Sequence, residues 1–246
     1  MLTRLTFKLN SPQRLISSTA CLFHGALLQK IDRQYGEFLH FSQLKPFSQY
    51  LINENNNLLW KLQILDNNAY KHIILDTDIE HLKSIYLEQK DINIDIISCN
   101  KYELTQNELL DKTFFGTCTR GIKIRFCTPT SFKSNGKYQN YPTIYHIFSS
   151  LIKKYDAVNT ENEINSPTLL DDFEKYINIS SYNLRSTVFH IEGVKIPAFL
   201  GTLSLRINGP QQLVNLVHLL LEFGTFSGVG IKTALGMGAL EIDMKW

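Results

Sequence analysis

Gly228-Val229-Gly230-Ile231-Lys232-Thr233-Ala234-Leu235-Gly236-Met237-Gly238 packs four glycines, one cation and one hydroxyl into a G-x-G-x5-G-x-G segment. Repeated glycines tolerate positive φ and let backbone N–H groups approach a ligand without a Cβ in the way. Beside Lys232, such N–H groups form a candidate cradle for phosphate oxygens. Gly228, Gly230, Lys232, Thr233, Gly236 and Gly238 are therefore candidate phosphate contacts. The segment follows an apolar, helix-like run, Leu213 to Phe223, and precedes a strand-like end, Ala239 to Met244. Dinucleotide-binding glycines and P-loops instead follow a strand and open a helix, and a P-loop needs Gly-Lys-Ser/Thr, whereas Lys232 follows Ile231. A nucleotide cofactor is disfavoured, no cofactor is expected, and a phosphate backbone is the better ligand.

Seven histidines are present, at positions 24, 40, 72, 81, 146, 190 and 218, none within H-E-x-x-H and none sharing zinc-finger spacing with a cysteine. No D-x-x-E-x-D cluster suggests a two-metal nuclease, so no metal site is expected. RNA offers another route, because its 2′-OH attacks the adjacent phosphate once a base removes the proton. A histidine suits that role, or that of the acid protonating the 5′ leaving oxygen, and a nearby cation stabilises charge on the phosphorane. His40 and Lys45 share a polar, loop-like stretch with Ser42, Gln43 and Ser48, where a plain surface role for the histidine is the alternative. His24 lies at the edge of a helical apolar arc and reads as a packed histidine before a catalytic one. His218, inside an apolar helix, reads as structural.

Between Lys112 and Tyr155 there are eight basic residues and no acidic one. A solvated basic face is the plain reading of such a stretch and a polyanion partner the sharper one. Lys123, Arg125, Arg185 and Arg206 alternate with apolar neighbours and so share the polar faces of strands. With Lys133 and Lys137 they are candidate phosphate contacts where they adjoin the glycine segment. Tyr138 and Tyr141 are candidates for stacking on bases, with turn packing as the alternative.

These residues need a scaffold. Leu5, Phe7 and Leu9 form the apolar face of a first strand. Thr19 can cap a helix carrying Leu22, Phe23, Ala26, Leu27 and Ile31, which ends near Gln29. Strands at Gln49–Ile52 and Leu58–Leu65 flank the turn-forming Asn55-Asn56-Asn57. A helix begins at Asp76 or Thr77 with Ile79, Leu82, Ile85 and Tyr86, and Asn93–Ile96 alternates as a strand. The order β-α-β-β-α-β is a ferredoxin-like unit. A second copy reads from the strand at Ile122, Ile124 and Phe126, a helix from Thr143 to Tyr155, and paired strands at Leu184–His190 and Leu203–Ile207. It continues with the Leu213–Phe223 helix, opened by Pro210 and ended by Gly224, and a last strand, Ala239–Met244. Asn159 to Thr168 reads as a mobile loop. The expectation is an α+β chain of two tandem ferredoxin-like (βαββαβ) domains, 1–115 and 116–246, divided within Leu104–Thr119.

At 246 residues with 43% apolar content, the chain can bury two substantial cores. Its charge of +2 is uneven: 12 Lys/Arg against 13 Asp/Glu up to Phe115, and 13 against 10 from Gly116 onward. Cys21, Cys99, Cys118 and Cys127 show no C-x-x-C spacing, the N-terminus alternates like a strand, and no apolar run suits a membrane span. A cytoplasmic protein with reduced thiols and no membrane partner is expected.

The glycine segment, opened by Phe226-Ser227, resembles the C-terminal glycine-rich loop of the CRISPR-associated endoribonucleases that cut repeat RNA, the sixth Cas family within the RAMP superfamily. Phe23-His24-Gly25-Ala26-Leu27-Leu28, Phe38-Leu39-His40 and Lys45-Pro46-Phe47-Ser48 look like that family's first helix and the histidine-bearing segment after it. Cys127-Thr128-Pro129-Thr130-Ser131-Phe132 and Tyr141-Pro142 look like the start of its second domain. The similarity runs in order along nearly the whole chain and looks nearest to members accompanying type III systems. It implies two ferredoxin-like domains and metal-independent cleavage of a CRISPR precursor transcript within the repeat, leaving a 2′,3′-cyclic phosphate and a 5′-OH. The partners it implies are repeat RNA and other Cas proteins of an effector complex. His40 matches the family's catalytic histidine and Lys45 its assisting lysine. The tyrosine that some members carry on the first helix falls near Leu28 and is absent. Tyr35, Tyr50 and His24 are the weaker substitutes.

Two rival readings remain at this stage. A non-catalytic RAMP subunit that binds guide RNA shares the fold and loop but needs no poised histidine. A small-metabolite regulatory pair of ferredoxin-like domains predicts no RNA affinity.

Overall fold

The computed structural model describes residues 1–191 and 193–243. Alternating burial along β1 (Leu2–Asn10) puts Leu5, Phe7 and Leu9 on one face. After it come helices α1 (Ala20–Leu28) and α2 (Arg33–Phe41), then the hairpin β2 (Phe47–Glu54) and β3 (Asn57–Ile64). Asn55 and Asn56, at φ 49° and 62°, turn that hairpin in two residues, a conformation asparagine tolerates. A short helix α3 (Asn67–Ala69) continues as the π-helical Tyr70–Leu75, followed by β4 (Ser84–Leu87) and β5 (Ile92–Leu104). The five strands lie in the order β2-β3-β1-β5-β4, which is the ferredoxin-like order with β4 added at the edge. Phe7 stacks on Trp60 at 4.7 Å, and Phe23 of α1 closes over Trp60 at 5.2 Å.

α4 (Gln106–Lys112) leads to the second sheet. Its elements are β6 (Gly121–Thr130), the small ribbon β7 (Phe132–Ser134) and β8 (Lys137–Gln139), α5 (Ile144–Val158) and α6 (Leu169–Tyr176). They continue with the long hairpin β9 (Ile177–Ile191) and β10 (Val194–Ile207), then α7 (Gln211–Ser227), a 3-10 turn (Thr233–Leu235) and β11 (Leu240–Asp243). The order β11-β6-β10-β9 repeats the ferredoxin-like arrangement, so the tandem α+β fold read from the sequence is present.

Four local readings change. Asp78 takes φ +50°, so Ile79–His81 is only a 3-10 turn and no helix starts at Asp76 or Thr77; Ile85 and Tyr86 instead belong to β4, opposite Ile94 and Asn93. Gly224 does not end α7: a Cβ there would lie 2.8 Å from Leu151 Cδ2, so the glycine lets α5 approach, and Gly228 at φ +64° terminates the helix. Thr19 stands at the start of α1 without capping it; its Oγ1 accepts instead from the Ile16 N–H. Leu184 and Leu203 lie opposite Gly201 and Tyr182 in a hairpin longer than the two segments read from sequence. Met244, the expected end of the last strand, lies outside the described residues. Leu109 of α4 packs in the second sheet's core, which also takes in Leu2, Leu65 and Leu104 of the first unit.

Candidate RNA-binding and cleavage site

The two units are joined at the glycine segment. Ala234 is part of the first unit's core, although its chain neighbours belong to the second. Gln49 of β2 makes the joint: its Nε2 donates to the carbonyls of Ala20 (2.7 Å) and Ala234 (2.9 Å), while its Oε1 accepts from Trp60 Nε1 (2.6 Å). A buried amide with its polar atoms paired fixes the register of whatever it touches. The tip of the β9–β10 hairpin packs Phe189, Ile191, Ile196 and Ala198 on Met237, with Leu235 and Cys21 alongside.

The glycines prove to be dictated by the chain itself. A Cβ on Gly230 would lie 2.3 Å from Ser131 O, one on Gly238 2.0 Å from Val229 O, and one on Gly236 2.5 Å from Ala20 Cβ. All three have positive φ, as does Gly228, whose Cβ would meet Thr233 Cγ2 at 2.8 Å. The amides are largely spent as well. Val229 N–H donates to Gly238 O, Ile231 N–H to Ser131 O, Gly238 N–H to Pro129 O and Gly230 N–H to Ser150 Oγ. The cradle of loop N–H groups expected from the sequence is therefore mostly closed by internal bonds. What the loop turns outward is side chain: Lys232, itself at φ +55°, is exposed, and Thr233 is half-buried.

Beside the loop lies a pocket of about 500 Å³ lined from both units. The first contributes His24, Gln43, Leu44 and Lys45; the second contributes Lys133, Tyr138, Lys154 and Gly230 to Leu235. A smaller groove of about 230 Å³ shares Leu44, Lys133, Lys154, Gly230 and Ile231 with it, and adds Tyr145, His146, Ser149, Ser150 and Lys153. Cations with aromatic neighbours suit a sugar–phosphate chain whose bases can stack. Lys133 already lies 5.8 Å above the Tyr138 ring.

His24 stacks on Phe47 at 5.8 Å. Burial, and after it the charge of Lys45, push its imidazole down to about 4, so it is neutral at pH 7. Lys45 donates to the carbonyls of Leu39 and Ser42, with His40 O at 3.4 Å, and so closes the C-terminus of α2, where a cation is favoured. His40 is not on a loop: it occupies the last turn of α2, exposed, with Phe41 edge-on at 5.4 Å. It stands outside the pocket lining, which begins three residues later at Gln43. Tyr35 is buried on α2, stacked on His72 at 4.3 Å, and Tyr50 is buried on β2 with Lys61 5.7 Å from its ring. Burial raises both phenols well above their usual range, which suits core residues better than proton donors.

The basic residues do not form one patch. Arg125 lies 3.7 Å from Glu241, and Lys123 sits opposite Asp243 in the β6–β11 register. Arg120 donates to Ile207 O and Gly209 O, and Lys112 pairs with Glu222 at 2.7 Å. Lys137 on β8 and Arg185 on β9 are exposed but do not line the pocket, so of the expected cations the pocket gathers Lys45, Lys133 and Lys232. Lys153, Lys154 and His146 were not singled out from sequence. A signal existed for Lys154, which falls three residues after Leu151 on the buried stripe of α5. Among the described residues, no group of three or more His, Cys, Asp or Glu side chains is arranged to hold a metal ion.

Residues 124–240 match the family model described as CRISPR-associated endoribonuclease Cas6. A CRISPR-associated endoribonuclease Cas6 of Streptococcus thermophilus is 30% identical over 98% of this chain and 98% of its own length. One of Mycobacterium tuberculosis is 30% identical over 97% of this chain and 77% of its own. Among solved structures, a Cas6 product complex superposes with a TM-score of 0.82 at 21% identity, covering 99% of this chain and all of that one.

Proposed function

The chain belongs to the Cas6 family of CRISPR-associated endoribonucleases, and we propose that it cuts precursor transcripts within the repeat to release guide RNA. The observation that carries the reading is the pocket in which His24 and Lys45 of one unit face Lys133 and Lys232 of the other. RNA laid along the loop would meet cations on one side and the His24–His40 end of the first unit on the other.

In the proposed reaction the 2′-oxygen attacks the adjacent phosphorus as its proton passes to a base. The bond from phosphorus to the 5′-oxygen then breaks, and that oxygen takes a proton. His40 moves the proton, as the exposed histidine free to meet substrate. Lys45 holds the end of the helix that carries His40 against the pocket wall, and its charge lies where the phosphorane becomes more negative. His24, neutral at pH 7, can offer or accept one hydrogen bond beside the reacting phosphate. Lys133, Lys232 and Thr233 hold the strand. No step calls for a metal ion.

Among the described residues, no helix is long and apolar enough to cross a membrane and no two cysteines form a disulfide. Work in the cytoplasm, alongside other Cas proteins of an effector complex, fits that chemistry. The test is cleavage of the cognate repeat in excess EDTA, with and without a single 2′-deoxy sugar 5′ of the scissile phosphate. Cutting of the all-ribose repeat and none of the 2′-deoxy form is expected. Cutting of the 2′-deoxy form would replace the internal nucleophile with water, and tight binding without cutting would favour a non-catalytic RAMP subunit.

A further inference from the structure

Lys154 is buried on the inner stripe of α5, yet it ends in an amine. That amine donates to the carbonyls of Ser227 (3.2 Å) and Gly228 (3.1 Å) and to Oγ1 of Thr233 (3.1 Å). Three acceptors require three N–H bonds, which only the protonated form has. The two carbonyls close α7, whose C-terminus carries partial negative charge. That is the compensation it receives, because the residues lining the pocket and groove include no carboxylate, and the lysines and histidines among them are His24, Lys45, Lys133, His146, Lys153 and Lys232. Glu222 of α7 is paired with Lys112. Burial accordingly pushes Lys154 down to about 7.

Thr233 is oriented by the same contact. Its methyl lies against the bare faces of Gly228 and Gly238, 2.8 and 3.1 Å from where their Cβ atoms would be. Its oxygen accepts from Lys154, so its own hydrogen is left for an acceptor on the pocket side, which Thr233 lines.

We infer that Lys154 is a positioning residue for the RNA: it aims the Thr233 hydroxyl at a phosphate in the pocket, and that phosphate supplies the negative charge the buried ammonium lacks. RNA binding and retention of the Lys154 proton are thereby linked, on the reading that the pocket is where RNA lies. The linkage predicts affinity that falls as pH rises above 7. Burial, and after it the charge of Lys45, hold His24 at about 4, below that window; burial lowers Lys45 as well, so the Lys154 substitutions assign the proton.

The experiment is fluorescence anisotropy with an uncleavable 2′-deoxy repeat RNA from pH 7 to 9.5 at fixed salt. It uses wild type, Lys154→Met, Lys154→Arg, Thr233→Val and Lys232→Ala, each checked for folding by thermal melting. Wild-type affinity is expected to drop roughly ten-fold across the window, the scale of one lost charge-assisted contact. Lys154→Met should be weak and nearly flat, Lys154→Arg flat because guanidinium keeps its proton, and Thr233→Val several-fold weaker at pH 7. A folded Lys154→Met protein with wild-type affinity and pH profile overturns the inference. So does a flat wild-type profile, which decides the matter even if Lys154→Met does not fold. If Lys232→Ala also leaves binding unchanged, the pocket itself is misread as the RNA site, a different failure.

Discussion

Gly236 stands against Ala20 so closely that a Cβ on the glycine would lie 2.5 Å from the Cβ of the alanine. The contact joins the glycine segment to the start of α1, and it moves the reason for the glycine from phosphate approach to the seam between the units. With φ at +104°, Gly236→Ala adds backbone strain to overlap and should cost about 2–4 kcal/mol in urea or thermal unfolding. Gly25→Ala, on α1 with nothing within 4 Å of the new Cβ, is the control and should be neutral or slightly stabilising. Equal stability of the two variants would contradict the seam.

His40→Ala should lower the single-turnover cleavage rate by roughly 10²–10⁴-fold while RNA affinity changes little. His24→Ala tests the other histidine in the same assay. A wild-type rate for His40→Ala, with a failing but stably folded His24→Ala, would place proton transfer on α1.

Lys45 closes α2 and lies near His24, so Lys45→Met should act on both. Losing a C-terminal cap costs about 1 kcal/mol. Removing the cation should also raise the His24 value above about 4, by less than burial lowers it, because burial is the larger cause. A His24 titration followed by NMR that ignored the change would place the two groups out of electrostatic reach.

Unfolded His24 takes up a proton near pH 6.5, whereas folded His24 waits until about 4. Between those values the unfolded chain binds more protons, so stability falls as pH drops through the window, by up to about 3 kcal/mol from this residue. Burial lowers His218 too and acts in the same direction. Urea midpoints across pH 4–7 for wild type and His24→Gln measure the share; a slope the substitution leaves intact would assign it elsewhere.

Lys232 is exposed at the outer turn of the loop. Lys232→Ala should weaken binding across all sequences and reduce the salt slope of log affinity by about one. An unchanged slope would remove Lys232 from the phosphate track.

Much of this architecture could be read from the chain because alternation and turn chemistry are local. The inward Leu5, Phe7 and Leu9 and the Asn55-Asn56 turn needed no partner to be recognised. α2 was missed because only Tyr35 and Leu39 point inward on an otherwise polar stretch interrupted by Gly36, although Asp32 caps it through the Tyr35 N–H. β4 reads as helix from sequence because Ile79, Leu82 and Ile85 fall three apart, and the break comes from Asp78 in the left-handed region. The pocket depended on contacts distant in sequence. Which of eight lysines and arginines reach it is decided by Glu241, Glu222 and the carbonyls that claim the others.

The glycine segment has the irregular outline of a surface loop, yet its amides are bonded to β6, α5, α7 and its own strand-like return. Measured by amide hydrogen exchange, the protons of Val229, Gly230, Ile231, Gly238 and Ala239 should persist like those of a central strand, opening only when the segment parts from β6 and α5. The timescale on which they exchange would then be the lifetime of the wall that the second unit gives the pocket.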